Sequence, residues 1–200
     1  MIIGITGGTG CGKTTLLNHI REAGGMILDC DAIYHELLHS DREMLTAIET
    51  RFPGTVNNGT LDRKKLGAIV FADSDALVDL NQITHNAVKQ EVLRRLHCGP
   101  TLAAIDAIGL FEGGLAELCD VTVAVTAPLE QRIRRLMIRD GISEEYARSR
   151  INAQKPQNWY CSRCDYVLNN SADVQLYSTK CLDFLEQLGI IEGRCSSRAE

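Results

Sequence analysis

The sequence predicts an α/β fold, a parallel sheet covered by helices on both faces, and three observations carry that reading. Short apolar runs alternate with helical periods along the chain. At the first junction, Met1-Ile-Ile-Gly-Ile-Thr6 runs into Gly7-Gly-Thr-Gly-Cys-Gly-Lys13-Thr14-Thr15 and then Leu16-Leu17-Asn18-His19-Ile20. That is an apolar strand, a glycine-rich turn and a helix in direct succession. The third observation is a mostly helical stretch over 32–98, too long for one crossover, which reads as a cap inserted between strands. Such sheets take ligands beyond the carboxyl ends of their strands, so that rim is where chemistry is expected.

The remaining elements follow in order. Gly24-Gly25 end the first helix as a C-cap pair. Met26-Ile27-Leu28 is a short second strand, delivering Asp29-Cys30-Asp31 at its carboxyl end, next to where the glycine turn ends the first strand. Helical periods follow at Ala32–His39 and Asp41–Phe52, the latter with Met44, Leu45, Ile48 and Phe52 on one side. Asn57-Asn58-Gly59-Thr60 is a turn signal. Helical periodicity then runs from about Asp62 past Asp73 to His97, with Leu66, Ile69, Val70, Leu77, Leu80 and Ile83 as core candidates. After Gly99-Pro100, Thr101–Ile108 and Val121–Val125 read as buried strands, with a short helix near Gly113–Leu118 between them. Pro128 opens a helix that runs to Asp140-Gly141, and Ser143 caps the next one, with Glu144 and Glu145 in its first turn. Tyr166-Val167-Leu168 is a last strand and Asp173–Leu188 a last amphipathic helix. The expected organisation is one domain over 1–190 and a polar, disordered tail over 191–200. Within the domain, a core covers about 1–31, 99–127 and 156–190, a helical substrate-covering region about 32–98, and a lid about 128–155.

Bulk properties narrow the class. A hydrophobic content of 44% over 200 residues supports one well-buried domain. No apolar run is long enough for a membrane span. The first residues are already the strand feeding the glycine turn, which leaves no place for a signal peptide, so a cytoplasmic protein with reduced thiols is expected. A net charge of −5 argues against nucleic acid as the main partner. Positive charge is nevertheless concentrated in one stretch, at Arg132, Arg134, Arg135, Arg139, Arg148, Arg150 and Lys155, which suits a small, highly phosphorylated ligand. Of the eight cysteines, only Cys161 and Cys164 form a close pair. A structural zinc site needs two more ligands, and there is no second C-x-x-C. Cys11 sits in the glycine turn near a helix N-terminus, where thiolates are stabilised, so it is expected to be alkylatable and protected by nucleotide. The simpler account makes it a small residue filling its slot.

The spacing G-x-x-x-x-G-K-T from Gly7 to Thr14 has a direct physical meaning. A polyphosphate must be wrapped by backbone N–H groups, and only a loop of small residues such as Gly8, Thr9, Gly10, Cys11 and Gly12 presents them at close range. The helix N-terminus behind the loop adds a favourable dipole. Lys13 then reaches the β- and γ-phosphates, the Thr14 hydroxyl is placed to hold Mg²⁺, and Thr15 completes the turn. Transferring a phosphoryl group also requires a group that orients and deprotonates the acceptor. Asp31 is the candidate base, with Asp29 closing the strand structurally. Asp106 ends the apolar strand Leu102-Ala-Ala-Ile-Asp106, a usual place for a carboxylate bound to Mg²⁺ or its waters, and Glu112 faces the same rim from a glycine-rich loop. At 100° per residue, Arg132, Arg135 and Arg139 fall on one face of their helix. They form a basic flap over a triphosphate, with Arg139 nearest the phosphate.

Taken together, the motifs resemble the dephospho-coenzyme A kinase family over nearly all of residues 1–188. The resemblance rests on T-G-G-x-G-x-G-K-[ST]-T at Thr6–Thr15, D-x-D at Asp29–Asp31 followed by Glu36-Leu37-Leu38, and G-x-L-D-R at Gly59–Arg63. It continues through Val70-Phe71, His85, Leu110-Phe111-Glu112, Gln131 with Arg132, Arg139-Asp140, Ala153-Gln154 and Asp165-Tyr-Val-Leu-Asn-Asn170. It implies a P-loop kinase-type three-layer fold with a parallel sheet, a helical substrate-binding insertion and a small lid. The implied reaction is Mg²⁺-dependent phosphorylation of the ribose 3′-hydroxyl of dephospho-coenzyme A by ATP. Asp31 is then the base, Arg63 and His85 bind the acceptor, and Arg139 acts from the lid. The chain departs from the family pattern at His85-Asn86, where His-Pro is usual, and at Ile108-Gly109-Leu110-Phe111-Glu112, where a P-L-L-F-E type is usual. Cys161-Ser-Arg-Cys164 also replaces what is commonly an acidic or alanine-rich stretch.

Two other functions share parts of this pattern. Another small-molecule kinase, acting on a nucleoside or nucleoside monophosphate, shares every ATP-site feature and differs in the helical insertion. A nucleotide-dependent switch protein would want a guanine-reading N-K-x-D segment, and none occurs.

Overall fold

A computed structural model describes residues 1–171 and 173–192; the tail expected over 191–200 lies, from residue 193 on, outside the described residues. The opening apolar run forms β1 (Ile2–Thr6), and the glycine turn leads into α1 (Lys13–Glu22), which buries Leu16, Leu17 and Ile20. After β2 (Met26–Asp29), the Asp29 carboxylate accepts the Ala32 N–H at 3.0 Å and caps α2 (Cys30–Ser40). Asp41 does the same for α3 (Arg42–Arg51), accepting the Met44 N–H at 2.9 Å. The turn signal is the tip of a hairpin, β3 (Val56–Asn57) and β4 (Thr60–Leu61). Its central residues Asn58 (φ 50°) and Gly59 (φ 75°) are both left-handed, as a tight two-residue hairpin turn requires.

The long helical period is two helices, α4 (Arg63–Val70) and α5 (Ser74–Leu96), because Asp73 takes an extended conformation and caps the second through the Asp75 N–H at 2.9 Å. Its buried stripe is Ala76, Thr84, Val88 and Val92, whereas Leu77 is exposed. The expected core position at Leu77 is therefore wrong. α5 tolerates this because one stripe packs inward while its other apolar residues remain at the surface. β5 (Ala103–Asp106) follows, and the expected helix near Gly113–Leu118 is a single 3₁₀ turn, Ala116–Leu118. Next come β6 (Val121–Thr126), α6 (Leu129–Asp140) and α7 (Glu144–Asn152), where the Ser143 hydroxyl accepts the Tyr146 N–H at 3.2 Å. A five-residue α8 (Gln157–Cys161) opened by Pro156, β7 (Tyr166–Asn169) and α9 (Val174–Gln187) complete the chain.

The main sheet has strand order β2-β5-β1-β6-β7, with β5, β1, β6 and β7 paired in parallel. β2 is thus not beside β1, as its place in the sequence suggested; β5 lies between them. Parallel strands are joined by crossovers rather than tight turns, so sequence order does not decide which strands hydrogen-bond. Asp106 is the residue that gains from this, paired in register with Ile5 one position before β1 ends.

The chain divides into two compact units. One comprises Met1–Ile27, Thr101–Ile108 and the chain from Cys119 onward. Its core packs Ile3, Ile5, Leu16 and Ile20 with Tyr177, Phe184 and Leu185 from α9. A smaller cluster, Ile133, Leu136, Ala147 and Ile151, joins α6 to α7. The other unit, Leu28–Pro100 with Gly109–Leu118, is mostly helical. It buries Ile33, Leu37, Ile48, Phe52, Leu66 and Val88.

Candidate active site

The loop from Gly7 to Thr14 carries the chemistry of the sheet unit. Gly12 caps α1 in the left-handed region (φ 95°), and a Cβ there would lie 2.2 Å from Asn170 Nδ2. Both backbone and packing therefore demand glycine. Within the loop, the Cys11 N–H turns back to Gly8 O at 3.3 Å and the Thr15 N–H to Gly12 O at 3.3 Å. The backbone N–H groups of Gly10, Gly12, Lys13 and Thr14 have no protein acceptor among the described residues. Unpaired amides of this kind, gathered at a helix N-terminus, form an anion cradle.

Lys13 Nζ donates to Gly7 O at 3.0 Å and stands 3.7 Å from Asp106 Oδ1. Both side chains are largely buried, so Lys13 and Asp106 lie at the loop together. Thr14 is exposed at the second residue of α1. A hydroxyl and a carboxylate are hard oxygen donors, the set that suits Mg²⁺, and no group of three or more acidic, cysteine or histidine residues able to hold a metal occurs among the described residues.

Side chains distant in sequence hold the loop. Arg132 is buried, at 7% exposure, and donates through Nε to Thr9 O at 2.9 Å. It forms no ion pair with a carboxylate among the described residues. Arg135 NH1 donates to Gly10 O at 3.2 Å and Cys11 O at 3.3 Å, and its NH2 to Asn170 Oδ1 at 3.1 Å. Asn170 Nδ2 in turn donates to Cys11 O at 2.9 Å, and Gln154 Oε1 accepts the Thr9 N–H at 2.8 Å. Arg139, on the same face of α6, is exposed and bound to its neighbour Asp140, Nε to Oδ1 at 2.6 Å and NH2 to Oδ2 at 2.9 Å. Asp140 also receives Arg150 at 2.6 Å. The Arg139 hydrogen bonds, reinforced by Arg150, hold the Asp140 carboxyl at about 2, well below the usual carboxylate range.

The reading of Cys11 as a stabilised, alkylatable thiolate is overturned. Its side chain is 2% exposed and packs into the core with Leu16, Tyr177 and Cys181. Burial raises its pKa, which outweighs the lowering by Arg132 and Lys13. The thiol faces the core, so the slot-filling account holds.

In the helical unit, Asp31 lies in the first turn of α2, two residues past the strand end, exposed, and its carboxylate has no hydrogen-bond or ion-pair partner among the described residues. Asp29, as expected, is structural. His85 on α5 and Glu112 line one cleft with Asn81, Gln82, Lys89 and Gly113. A Cβ at Gly109 would lie 3.8 Å from His85 Nε2, so the departure at Gly109 keeps the space over the imidazole open. Arg63, the first residue of α4, lies with its NH2 3.2 Å from His35 Nδ1. The sequence reading assigned no role to Asn170 or Gln154, although both stand in quoted motifs. They lie about 145–159 residues from the loop atoms they bind, a separation that no local spacing rule reports.

A parallel sheet carrying a G-x-x-x-x-G-K-T loop at the end of β1, with a basic helix closing on that loop, defines a P-loop kinase. A family model described as dephospho-CoA kinase matches residues 1–175. Curated dephospho-CoA kinases from Geobacillus kaustophilus and Anaeromyxobacter dehalogenans are 35% and 36% identical. The first match covers 96% of this chain and 98% of the relative, the second 96% and 94%. Among solved structures, one from Thermus thermophilus matches with a TM-score of 0.78 at 33% identity, over 96% of this chain and 98% of that one. A dephospho-CoA kinase from Campylobacter jejuni, at 22% identity and a TM-score of 0.65, covers 94% and 96% and shares the fold. The chain belongs to the dephospho-CoA kinase family.

Proposed function

We propose that the chain transfers the γ-phosphoryl group of ATP to the ribose 3′-hydroxyl of dephospho-coenzyme A, giving coenzyme A and ADP. The observation that carries the nucleotide half is the cradle of unpaired amides at Gly10, Gly12, Lys13 and Thr14 on the N-terminus of α1. Family membership supports the acceptor.

Each residue then has a physical task. The loop amides and Lys13 neutralise the polyphosphate, and Lys13 shifts from Gly7 O to the transferring group, where charge spreads in the transition state. Arg132, a buried cation without a carboxylate partner among the described residues, adds positive potential beside the same phosphates. Arg139 is the outer lid cation, and contacting a phosphate requires it to exchange Asp140 for that anion. Asp31 accepts the proton of the attacking hydroxyl; its unpartnered carboxylate supports that role. Arg63, His85 and Glu112 bind the acceptor, the helical region over 32–98 serves as the acceptor-binding part, and 128–155 serves as the lid. Thr14 and Asp106 would hold Mg²⁺, which when bound neutralises phosphate charge. No described helix is long and apolar enough to cross a membrane. Action in the cytoplasm on small molecules, without a nucleic-acid partner, is part of the same proposal.

The test is an acceptor panel: purified protein with ATP, Mg²⁺ and dephospho-coenzyme A, uridine or nucleoside monophosphates, followed by ADP release and product mass. Dephospho-coenzyme A is expected to turn over fastest. Much faster phosphorylation of uridine or a nucleoside monophosphate would sink the assignment.

A further inference from the structure

The Cys11–Gly12 peptide unit is held by two side chains from outside the loop. Its carbonyl oxygen accepts two hydrogen bonds, from Arg135 NH1 at 3.3 Å and Asn170 Nδ2 at 2.9 Å, which uses both lone pairs. The two donors are also bonded to each other, Arg135 NH2 to Asn170 Oδ1 at 3.1 Å. Asn170 is 3% exposed, and its own N–H is fixed on Thr126 O at 2.7 Å, so the amide is anchored to the end of β6. Arg135 is anchored on the other side by Gln131 Oε1 at 3.3 Å, and its NH1 also reaches Gly10 O at 3.2 Å. Arg135 thus spends its donors on uncharged acceptors.

A trans peptide is planar, with its N–H opposed to its C=O. Drawing the Cys11 carbonyl toward α6 and β7 therefore turns the Gly12 N–H the opposite way, and that N–H is one of the unpaired loop amides. A guanidinium at the carbonyl end also polarises the unit and makes its N–H a stronger donor to an anion. The 2.2 Å separation between a Cβ at Gly12 and Asn170 Nδ2 shows how closely the clamp is set against the loop.

We infer that Arg135 and Asn170 are positioning residues for the nucleotide: together they fix the Cys11–Gly12 peptide with its N–H toward the bound polyphosphate, and neither touches the phosphate itself. This rests on the reading that the loop holds ATP. It separates Arg135 from its neighbours on α6, which act on phosphate as charges, and gives Asn170 a task although it lies at the far end of the chain.

The mechanism predicts a signature that direct contact does not share. ADP and ATP both place a β-phosphate in the loop, so loosening the loop weakens both by the same factor. A guanidinium that contacts the transferring γ-phosphate affects ATP alone. Calorimetric titration of the full chain with ADP, ATP and, separately, dephospho-coenzyme A tests this in Asn170→Asp, Arg135→Gln and Arg135→Lys. Asn170→Asp and Arg135→Gln are expected to lose about ten- to a hundredfold in affinity for ADP and ATP alike, with dephospho-coenzyme A binding within about twofold of the parent. Arg135→Lys keeps the charge and one donor and recovers part of the loss. Should Asn170→Asp fail to fold, the two variants at half-buried Arg135 carry the same comparison. Unchanged ADP affinity, or a loss confined to ATP, overturns the inference. A parent protein that binds neither nucleotide overturns the nucleotide reading, and the inference with it.

Discussion

Apart from the exposed Thr14 and Arg139 of the sheet unit, the two units hold their candidate functional residues differently. In the sheet unit, Lys13, Asp106, Arg132, Arg135 and Asn170 are buried or half-buried, and nearly all bond to backbone or to one another. In the helical unit, Asp31, Arg63 and Glu112 are exposed, and His85 lines an open cleft. The first arrangement is already assembled before a ligand arrives, whereas the second consists of side chains projecting from helices whose stability comes from other residues. Substitutions in the sheet unit should therefore damage binding and folding together. Substitutions in the helical unit should damage chemistry or acceptor binding alone.

The largest expected effect is at Lys13. Lys13→Ala removes the cation proposed to act on the transferring group, so kcat should fall by about 10²–10³-fold. Acceptor affinity should stay unchanged, and steady-state kinetics with a binding titration would check both. Asp31→Asn should lower kcat by about 10²-fold, the ordinary scale for a general base, while ATP binding and melting temperature match the parent. Near-full activity would reassign the base, and a large fall in melting temperature would erase the contrast between the units.

A matched pair sharpens the comparison further. Gly12→Ala meets both a positive φ and Asn170 Nδ2, so it should cost about 1–3 kcal/mol of stability and weaken ATP binding. His85→Ala should raise the acceptor KM several-fold and leave thermal unfolding within about 0.5 kcal/mol of the parent. Equal destabilisation by the two would refute the division.

The smallest effect concerns pH. The Asp140 carboxyl, held at about 2 by Arg139 and Arg150, lies below its ordinary value of 3.8. Its contribution to stability is therefore complete above about pH 4 and lost as the pH falls through about 2. Hydrogen exchange should show α6 and α7 loosening over that window in the parent, and Asp140→Asn should remove the pH dependence. Persistence of the same acid transition in the variant would point to another carboxylate.

Much of this was legible in the chain. Ser143 was readable as a helix cap, and Asp41 and Asp173 as helix starts, because capping is a contact over two or three residues; the cap at Asp73, inside a continuous helical period, was not read. The conformation of the glycine loop was equally legible, since the strand end, the glycines and the helix start lie within eight positions. Cys11 was misread because its sequence neighbours suggest an electropositive turn, while its side chain points into a core shared by the sheet, α1 and α9.

By itself, the sequence determined whatever depends on neighbours: the strand–loop–helix of the phosphate cradle, the helix caps, the hairpin tip and the face of α6 that carries its arginines. Only the tertiary structure decided that β5 separates β1 from β2, that Arg132 and Arg135 grip the loop backbone while Arg139 pairs with Asp140, and that Asn170 closes the clamp. Local conformation follows from steric and hydrogen-bonding rules over a few residues. Partners more than a hundred positions apart meet only when the sheet and its helices pack around one core.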